Sequence, residues 1–432
     1  MTIALIGFAV LIFLAFIGVP LAFASLIVGI AGFAIFRGIE PAFYVASQQV
    51  SDLISNFNLI VLPLFILMGE MARHGRMTDA LYDLGQAAVG RFRGGLAMAT
   101  VVSCGLFSTV SGSTIATAAT MAKVSLPPMR RYGYGDGLAA GSVAAGGTLG
   151  ILIPPSVPMV IYAIFAKQDI GKMWIAGILP GILMILTFII AIMIYVRLFP
   201  ATLSENAGTE DAAEEKAAPG GALAFLALFL LVIGGIYLGI FTPTEAAAIG
   251  AFGAWILAML RGRMRSLDEY REVFSSAAGI SASIFVVASC ALVFSQFINI
   301  SGLPYTLLGF TQWLELSGLQ LILMISVICI LPGMVFDSLG ILVLIVPIFL
   351  PALEAQQIDL IWFGVIVIIL VEIGLISPPL GVNVFVVKAV DGRIDVMKAF
   401  HGAIAFVLAM IVTVGLIILF PGITSVLTSM MR

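Results

Sequence analysis

Two pairs of adjacent prolines interrupt long apolar segments of this sequence, at Pro154-Pro155 and at Pro378-Pro379. Proline has no N–H and its ring clashes with the preceding turn, so each pair should open a helix and free the backbone carbonyls before it. In hydrocarbon, such carbonyls cost several kcal/mol each unless protein, water or an ion satisfies them. The pairs therefore predict either packing kinks or two places where carbonyl oxygens bind a small hard cation.

Hydroxyl and carboxyl groups are concentrated in two other apolar segments, residues 94–122 and 318–350. The first contains STVSGSTIATAAT from Ser108 to Thr120, and the second contains LPGMVFDSLG with Asp337 near its centre. Ionisable groups inside a membrane are expensive and usually functional, although a satisfied structural carboxylate is the alternative for Asp337. Close helix packing through small residues and back-bonded hydroxyls is the alternative for the first segment.

The composition indicates what must position these groups. The chain has 432 residues, of which 61% are hydrophobic and 10% charged, with a mean hydropathy of +1.19. These values exclude a soluble globular protein. Because apolar runs of the ~20 residues needed to cross a bilayer recur along the chain, we expect an all-α integral membrane protein with about ten full spans. The predicted spans are residues 2–18, 20–36, 54–72, 136–166, 172–196, 221–241, 243–260, 274–298, 360–388 and 400–425.

The positions of the basic residues predict the topology. If 94–122 and 318–350 are re-entrant helical hairpins and the N-terminus lies outside, all but four of the 20 Lys and Arg residues face the cytoplasm. This asymmetry satisfies the positive-inside rule. The exceptions are Arg37, Lys167, Lys172 and Arg432. One hairpin then opens to the cytoplasm and the other to the exterior, so the two halves are inverted relative to each other.

A shift of 224 residues aligns the special residues of the two halves. Gly150 falls on Gly374, the first proline pair on the second, and Ser113 on Asp337. An inverted repeat is the construction of secondary transporters, whose binding sites lie where the repeats meet. The predicted divisions are an N-terminal scaffold (1–53), a first transport repeat (54–196), an acidic cytoplasmic linker (197–220), further scaffold spans (221–272) and a second transport repeat (273–432).

Other features of the sequence are weaker signals. Glu70, Glu372 and Lys388 lie in spans or near their ends, where snorkelling or a structural ion pair explains them as well as a role in transport does. Thr242-Pro243-Thr244-Glu245 predicts a capping box that starts a helix at residue 243. The three cysteines form no CxxC pair and indicate neither a disulfide framework nor a metal cluster. The sequence contains no HExxH, nucleophile elbow or Walker motif, so we expect neither an enzyme nor a nucleic-acid partner.

Four motifs resemble the large membrane subunit (DctM/SiaM-like) of tripartite ATP-independent periplasmic (TRAP) transporters. They are AAGGTLGILIPPSVPMVIYA (144–163), GIFTPTEAAAIGA (239–251), GLISPPLGVNVFV (374–386) and the SGST tip at 111–114. The resemblance covers essentially the entire chain. It implies a multi-pass protein of the bacterial inner membrane with both termini in the periplasm, and sodium-coupled uptake of an organic acid by an elevator mechanism. The organic acid would be a C4-dicarboxylate, sialic acid, a sugar acid or a sulfonate.

The resemblance also implies two protein partners, a periplasmic substrate-binding protein and a small membrane subunit of about four spans. Because the chain starts directly at its first span, we expect the small subunit to be a separate polypeptide. One alternative is a stand-alone sodium-coupled carrier of the dicarboxylate or citrate type that needs no binding protein. A channel, or a membrane scaffold that uses the breaks only as hinges, is an alternative of another class.

Carried onto this sequence, the resemblance implies two sites for co-transported Na⁺ and one for substrate. The first sodium site would use Ser111, Thr114, Gly150, Ile153 and Ser156. The second, mostly through backbone oxygens, would use Gly333, Gly374, Ser377 and Leu380. The substrate would lie near Ser113, Thr148, Asp337, Ser338 and Asn383. Since an anionic substrate beside Asp337 is an electrostatic problem, that carboxylate is alternatively a ligand of sodium or of a substrate hydroxyl.

Overall fold

A computed structural model describes residues 2–75, 77–202 and 220–431 of the chain. Every regular element within these residues is a helix, which confirms the all-α expectation. Most of the predicted acidic linker at 197–220 lies outside the described residues. Short 3-10 turns at Phe57–Ile60, Leu149–Ile151 and Pro200–Thr202 supplement the α-helices.

The described residues form twenty α-helices. The first ten are α1 (Thr2–Phe16), α2 (Leu21–Arg37), α3 (Ile39–Ile54), α4 (Val61–His74), α5 (Met77–Val89), α6 (Gly95–Ser111), α7 (Thr114–Arg131), α8 (Asp136–Thr148), α9 (Val157–Phe165) and α10 (Ile170–Leu198). The second ten are α11 (Gly220–Tyr237), α12 (Pro243–Leu260), α13 (Leu267–Ile300), α14 (Leu303–Trp313), α15 (Gly318–Gly333), α16 (Ser338–Ala355), α17 (Leu360–Ile376), α18 (Val382–Val390), α19 (Val396–Leu419) and α20 (Gly422–Met430).

Six helical segments of the described chain are long and apolar enough to cross a membrane. They are Phe57–His74, Ile170–Leu198, Pro243–Leu260, Leu267–Ile300, Ser338–Ala355 and Val396–Leu419. Shorter apolar helices, α1 and α2 among them, accompany these six. The count of about ten full spans, the side of the termini and the domain boundaries stay predictions.

The order of the helices recurs in the two halves, as the repeat predicts. The pair α6 and α7 corresponds to α15 and α16, the interrupted α8–α9 to α17–α18, and α10 to α19. Asp169 and Asp395, which cap α10 and α19 through backbone N–H groups, are equivalent by a shift of 226 residues. The same shift relates Thr187 to Thr413, whose hydroxyl oxygens lie 2.8 Å apart where α10 meets α19. The sequence repeat is thus also a repeat of structure.

The outer helices follow the same repeat with one difference. Helix α2 packs along α13, and its counterpart α12 packs along α4. The second half replaces α3 and α4 by the single 34-residue helix α13, in which the predicted boundary at residue 273 falls. The predicted capping box is confirmed at the start of α12, where Glu245 N–H donates to Thr242 Oγ1 at 3.3 Å and Thr242 N–H donates to Glu245 Oε2 at 2.8 Å.

The two predicted hairpins correspond to helix pairs with longer second arms. Helix α7 continues beyond residue 122 to Arg131, and α16 continues beyond residue 350 to Ala355. Both arms pass through prolines, which membrane helices tolerate because neighbouring helices satisfy the freed carbonyls. Both helices therefore extend beyond the apolar segments 94–122 and 318–350, from which the hairpins are predicted. Whether each pair enters and leaves on one side of the membrane stays a prediction.

The most buried helices are those that lead into the two proline breaks. All residues of α8 from Leu138 and of α17 from Phe363 are buried. Beyond the breaks, α9 packs on α16 and α18 packs on α7. Each half therefore places its short helix against the hairpin of the other half, and the breaks and hairpin tips meet in the core.

Candidate functional site

The first break is an ordered turn between α8 and α9, in which the Pro154-Pro155 bond is cis. Ser156 caps α9, because its Oγ accepts a hydrogen bond from Met159 N–H at 3.3 Å. The indole Nε1–H of Trp174 donates to the carbonyl oxygen of Ser156 at 3.1 Å. The turn therefore satisfies part of its backbone through hydrogen bonds of its own.

The first hairpin tip rests directly on this break. The tip turns at Gly112, whose φ of +55° suits glycine, and Ser113 caps α7. A Cβ on Gly150 would lie 2.7 Å from the carbonyl oxygen of Ser113, and one on Gly112 would lie 3.0 Å from that of Pro155. Both positions therefore need glycine for the tip backbone to approach the break.

A small cavity lies between the tip and the break, with Ser111 and Ser156 as its hydroxyl-bearing walls. Its volume of about 10 Å³ is at the lower limit for holding one water molecule. Apolar side chains of α4 and the Trp174 ring complete the lining. The cavity is thus small, partly polar and of a size that a single monovalent ion could fill.

The predicted first sodium site is only partly assembled around this cavity. Ser111 and Ser156 line it, and Gly150 lies below the tip. Thr114 instead directs its hydroxyl to Glu372. The side chain of Ile153 packs towards Gly181, so only its backbone is available as a ligand.

The second break repeats these features, again with a cis proline pair at Pro378-Pro379. Ser377 N–H donates to Gly374 O at 2.9 Å, and Ser377 Oγ–H donates to Ile373 O at 2.6 Å. A Cβ on Gly333, at the end of α15, would lie 3.2 Å from Gly374 Cα. The structure thus brings Gly333, Gly374 and Ser377 together, while the side chain of Leu380 is exposed.

A buried carboxylate joins the two hairpin tips. Thr114 Oγ1 lies 3.1 Å from both Glu372 Oε1 and Oε2, and Ser338 Oγ donates to Glu372 Oε1 at 3.0 Å. Glu372 is only 1% exposed. Thr114 and Ser338 are the first residues of α7 and α16 and are equivalent by the 224-residue shift. Equivalent hydroxyls of both halves therefore bind one carboxylate.

The partners of Glu372 distinguish it from the other charged residues of the apolar segments. Glu70 pairs with Arg73 at 2.7 Å, and Lys388 Nζ donates to two carbonyls of the loop after α18. The hydrogen-bond partners of Glu372 in the described chain are instead hydroxyls at the N-termini of α7 and α16, where helix dipoles favour negative charge. The sequence alone leaves snorkelling, a structural ion pair and a role in transport open for Glu372. The signal in the sequence is the position of Glu372, two residues before Gly374. Its equivalent in the first half, by the 224-residue shift, is the neutral residue Thr148.

Asp337 faces a different space from Glu372. It occupies the cap position of α16 and lines a cleft of about 220 Å³ between α2, α13 and α16. The other lining residues are apolar apart from Ser25. This cleft separates a helix of the predicted scaffold from the second hairpin tip and is large enough for part of a small organic molecule.

The remaining residues predicted to bind substrate do not share that cleft. Ser338 contacts Glu372, Ser113 caps α7, and the Thr148 hydroxyl donates to Ala145 O within its own helix. Asn383 is fully buried, and its Nδ2–H donates across the halves to Ala144 O at 3.1 Å. Its Oδ1 has no hydrogen-bond partner in the described chain. That oxygen is therefore a buried acceptor available to a ligand.

A charged network lies at the far end of α7. Arg130 contacts Asp391 at 3.0 Å and Asp136 at 3.6 Å, and Arg393 Nε donates to Asp391 at 3.0 Å. The hydrogen bond from the Arg393 side chain, supported by the Arg130 charge, lowers the pKa of Asp391 below its usual range. The network ties the first hairpin to the loop between α18 and α19.

Known proteins resemble this chain over most of its length. Residues 8–423 match the family described as "Tripartite ATP-independent periplasmic transporter, DctM component". The "C4-dicarboxylate TRAP transporter large permease protein DctM" of Pseudomonas aeruginosa is 35% identical over 78% of each chain. The "Isethionate TRAP transporter permease protein DctMQ" of Oleidesulfovibrio alaskensis is 33% identical over 87% of this chain and 58% of that protein. The solved structure of the YdaH transporter of Alcanivorax borkumensis, 14% identical, covers 89% of each chain with a TM-score of 0.61, which shows a shared fold.

Proposed function

Since the chain belongs to the family of large permease components of tripartite ATP-independent periplasmic transporters, we propose that it imports an organic acid across the bacterial inner membrane by coupling to sodium. The observation that carries this proposal is the pairing of each hairpin tip with a proline break. Gly150 contacts the Ser113 backbone in the first half, and Gly374 approaches Gly333 in the second. Each pairing concentrates hydroxyl and carbonyl oxygens in a small space within the core.

Sodium is the coupling ion that these oxygens suit. Hydroxyl and carbonyl groups are hard, neutral ligands, and broken membrane helices characteristically use them for Na⁺. The cavity beside Ser111 and Ser156, at about 10 Å³, supports one such site. The close approach of Gly333, Gly374 and Ser377 supports the second. Sodium would thus hold each hairpin tip on its break.

The organic acid would bind in the cleft between α2 and the second tip. A carboxylate or sulfonate is the substrate group suggested by the names of the relatives. In an elevator mechanism, the tips and breaks would move as a unit against the scaffold of residues 2–36 and 221–260, and the cleft at Asp337 lies at such a boundary. Asp337 would contact a hydroxyl of the substrate or a sodium ion.

A binding protein and a small membrane subunit would complete the transporter. Both partners follow from the family, and one relative carries the combined name DctMQ. The small subunit of this transporter would be a separate polypeptide or a fused segment.

Reconstitution tests this function against its alternatives. The chain is placed in liposomes with and without its binding protein and small subunit, and uptake of radiolabelled succinate, isethionate and sialic acid is followed with an inward Na⁺ or K⁺ gradient. We expect uptake only with Na⁺ and both partners. Uptake by the chain alone would identify a stand-alone carrier. Sodium-independent flux down the substrate gradient would identify a channel.

A further inference from the structure

The ligands proposed for the two sodium sites are all neutral. They are hydroxyls and backbone carbonyls of Ser, Thr, Gly, Ile and Leu residues. Asp337, the charged alternative, lines the separate cleft beside α2 and belongs to neither tip-and-break pair. Two monovalent cations in the low-dielectric interior repel each other and lose their hydration, and the effective penalty for each buried ion is several kcal/mol. A negative charge close to both sites would remove most of this penalty.

Glu372 is placed to supply that charge. Its carboxylate is 3.1 Å from the hydroxyl of Thr114, the residue that follows Ser113 at the tip of the first site. The same residue lies two positions before Gly374, a proposed ligand of the second. Thr148 occupies the equivalent position in the first half, so the repeat supplies a carboxylate on one side only. The acid is also fixed to both tips, because Ser338 donates to it at 3.0 Å.

We propose that Glu372 is the counter-charge shared by the two sodium sites, so that it couples their occupancy as a positioning residue. This inference rests on the proposed sodium-coupled function. When one ion binds, it fixes the tip that the carboxylate holds and pre-orders the other. The shared charge alone would make the second ion bind more weakly, because the first ion neutralises it. Positive cooperativity comes instead from the hydrogen bonds that hold both tips on the carboxylate, and these bonds are stronger when residue 372 is charged.

The test is a sodium titration of the purified full chain, with choline chloride keeping the ionic strength constant. The first readout is tryptophan fluorescence, because Trp174 donates a hydrogen bond to Ser156 O at the first site. The Trp174→Phe variant identifies how much of the fluorescence change comes from this residue. Sodium-induced thermal stabilisation gives a second readout that includes both sites. Glu372→Gln keeps the size of the side chain and an oxygen that can accept from Thr114 and Ser338. Glu354→Gln makes the same chemical change at the exposed end of α16 and is the matched control.

We expect Glu372→Gln to raise the half-saturating Na⁺ concentration at least tenfold, which is about 1.4 kcal/mol, and to lower the Hill coefficient towards 1. Glu354→Gln should match the wild type. Equal sodium affinity and cooperativity in Glu372→Gln and the wild type would overturn the inference. A wild type that does not respond to Na⁺ would instead overturn the sodium-coupled function itself.

A second variant decides the matter if Glu372→Gln does not fold. Glu372→Asp keeps the charge but withdraws it by one methylene from Thr114 and Ser338. A shared counter-charge predicts a half-saturating Na⁺ concentration within about threefold of the wild type, a difference under 1 kcal/mol. An increase in the half-saturating Na⁺ concentration above about tenfold would mean that the hydrogen bonds to Thr114 and Ser338, and not the charge, determine sodium affinity.

Discussion

The hydroxyl oxygen of Thr114 lies 3.1 Å from each carboxylate oxygen of Glu372, although the two residues are 258 positions apart in the chain. Thr114 begins the second arm of the first hairpin, and Glu372 lies in the helix that leads to the second proline break. The first half therefore places its hairpin tip on a side chain of the second half. This contact, together with Ser338 on the same carboxylate, joins both repeats at one point.

Removing one hydroxyl from Glu372 should destabilise the protein. Thr114→Val preserves the shape of the side chain but leaves the buried carboxylate with one donor fewer. A hydrogen bond to a charged group contributes about 1.5–3 kcal/mol, so we expect a lower thermal midpoint in sodium-free detergent solution. Thr114→Ser retains the hydroxyl and is the control. Equal midpoints for the valine and serine variants would argue against an ionised carboxylate at this point.

Adding a methyl group at Gly374 should separate the second tip from its break. A Cβ there would collide with the backbone of Gly333, which cannot move aside as a flexible side chain could. We expect Gly374→Ala to insert in the membrane and to reduce sodium-dependent uptake more than about tenfold. Gly415→Ala, in a helix position with no neighbouring atom within 4 Å, should retain uptake. Equal sodium-dependent uptake in both variants would show that no second sodium site forms at Gly374.

The role of Asp337 can be tested by measuring both the KM for the organic acid and the half-saturating Na⁺ concentration in Asp337→Asn. If its carboxylate contacts the substrate, Asp337→Asn weakens binding of the organic acid only. The KM for the organic acid should then rise, and the half-saturating Na⁺ concentration should stay unchanged. If it holds sodium, the Na⁺ dependence should shift instead. Because the cleft that it lines lies against α2, we expect the change in KM. A variant with unchanged constants would exclude Asp337 from both roles.

The contact between Arg130 and Asp391 should be insensitive to pH in the neutral range. The folded-state pKa of Asp391 is lowered, so its stabilising contribution is present above the unfolded value of about 3.9 and is lost as pH falls through the folded value. Asp391→Asn should therefore lower the thermal midpoint by the same amount at pH 6 and at pH 8. A difference between variant and wild type that disappears at pH 6 would contradict this.

The sequence predicted those parts of the site that depend on residues close together in the chain. Proline pairs, glycines and helix caps act on the backbone within a few residues, so the two breaks, the repeat and the start of α12 could be placed without a structure. Helices α7 and α16 extend past the apolar segments that predict them, and their prolines are tolerated because neighbouring helices satisfy the freed carbonyls.

The contacts of Glu372 could not be predicted in the same way. A carboxylate in an apolar helix can meet a cation, a hydroxyl or an interface, and which it meets depends on helices that are distant in sequence. The same holds for Thr148, which was predicted to lie near the substrate. Its hydroxyl instead donates a hydrogen bond to Ala145 O within its own helix. The 224-residue shift pairs Thr114 with Ser338 but gives no information on the side chain that both contact.

The proposed transport function requires two sodium sites, each formed by one hairpin tip and one proline break. The most direct measurement is equilibrium binding of ²²Na⁺ to the purified chain, counted per molecule, in the wild type and in Ser111→Ala and Gly374→Ala. We expect two bound ions for the wild type and one for each variant, since each substitution changes a different site. Absence of sodium binding in the wild type, or two ions retained in both variants, would contradict this expectation.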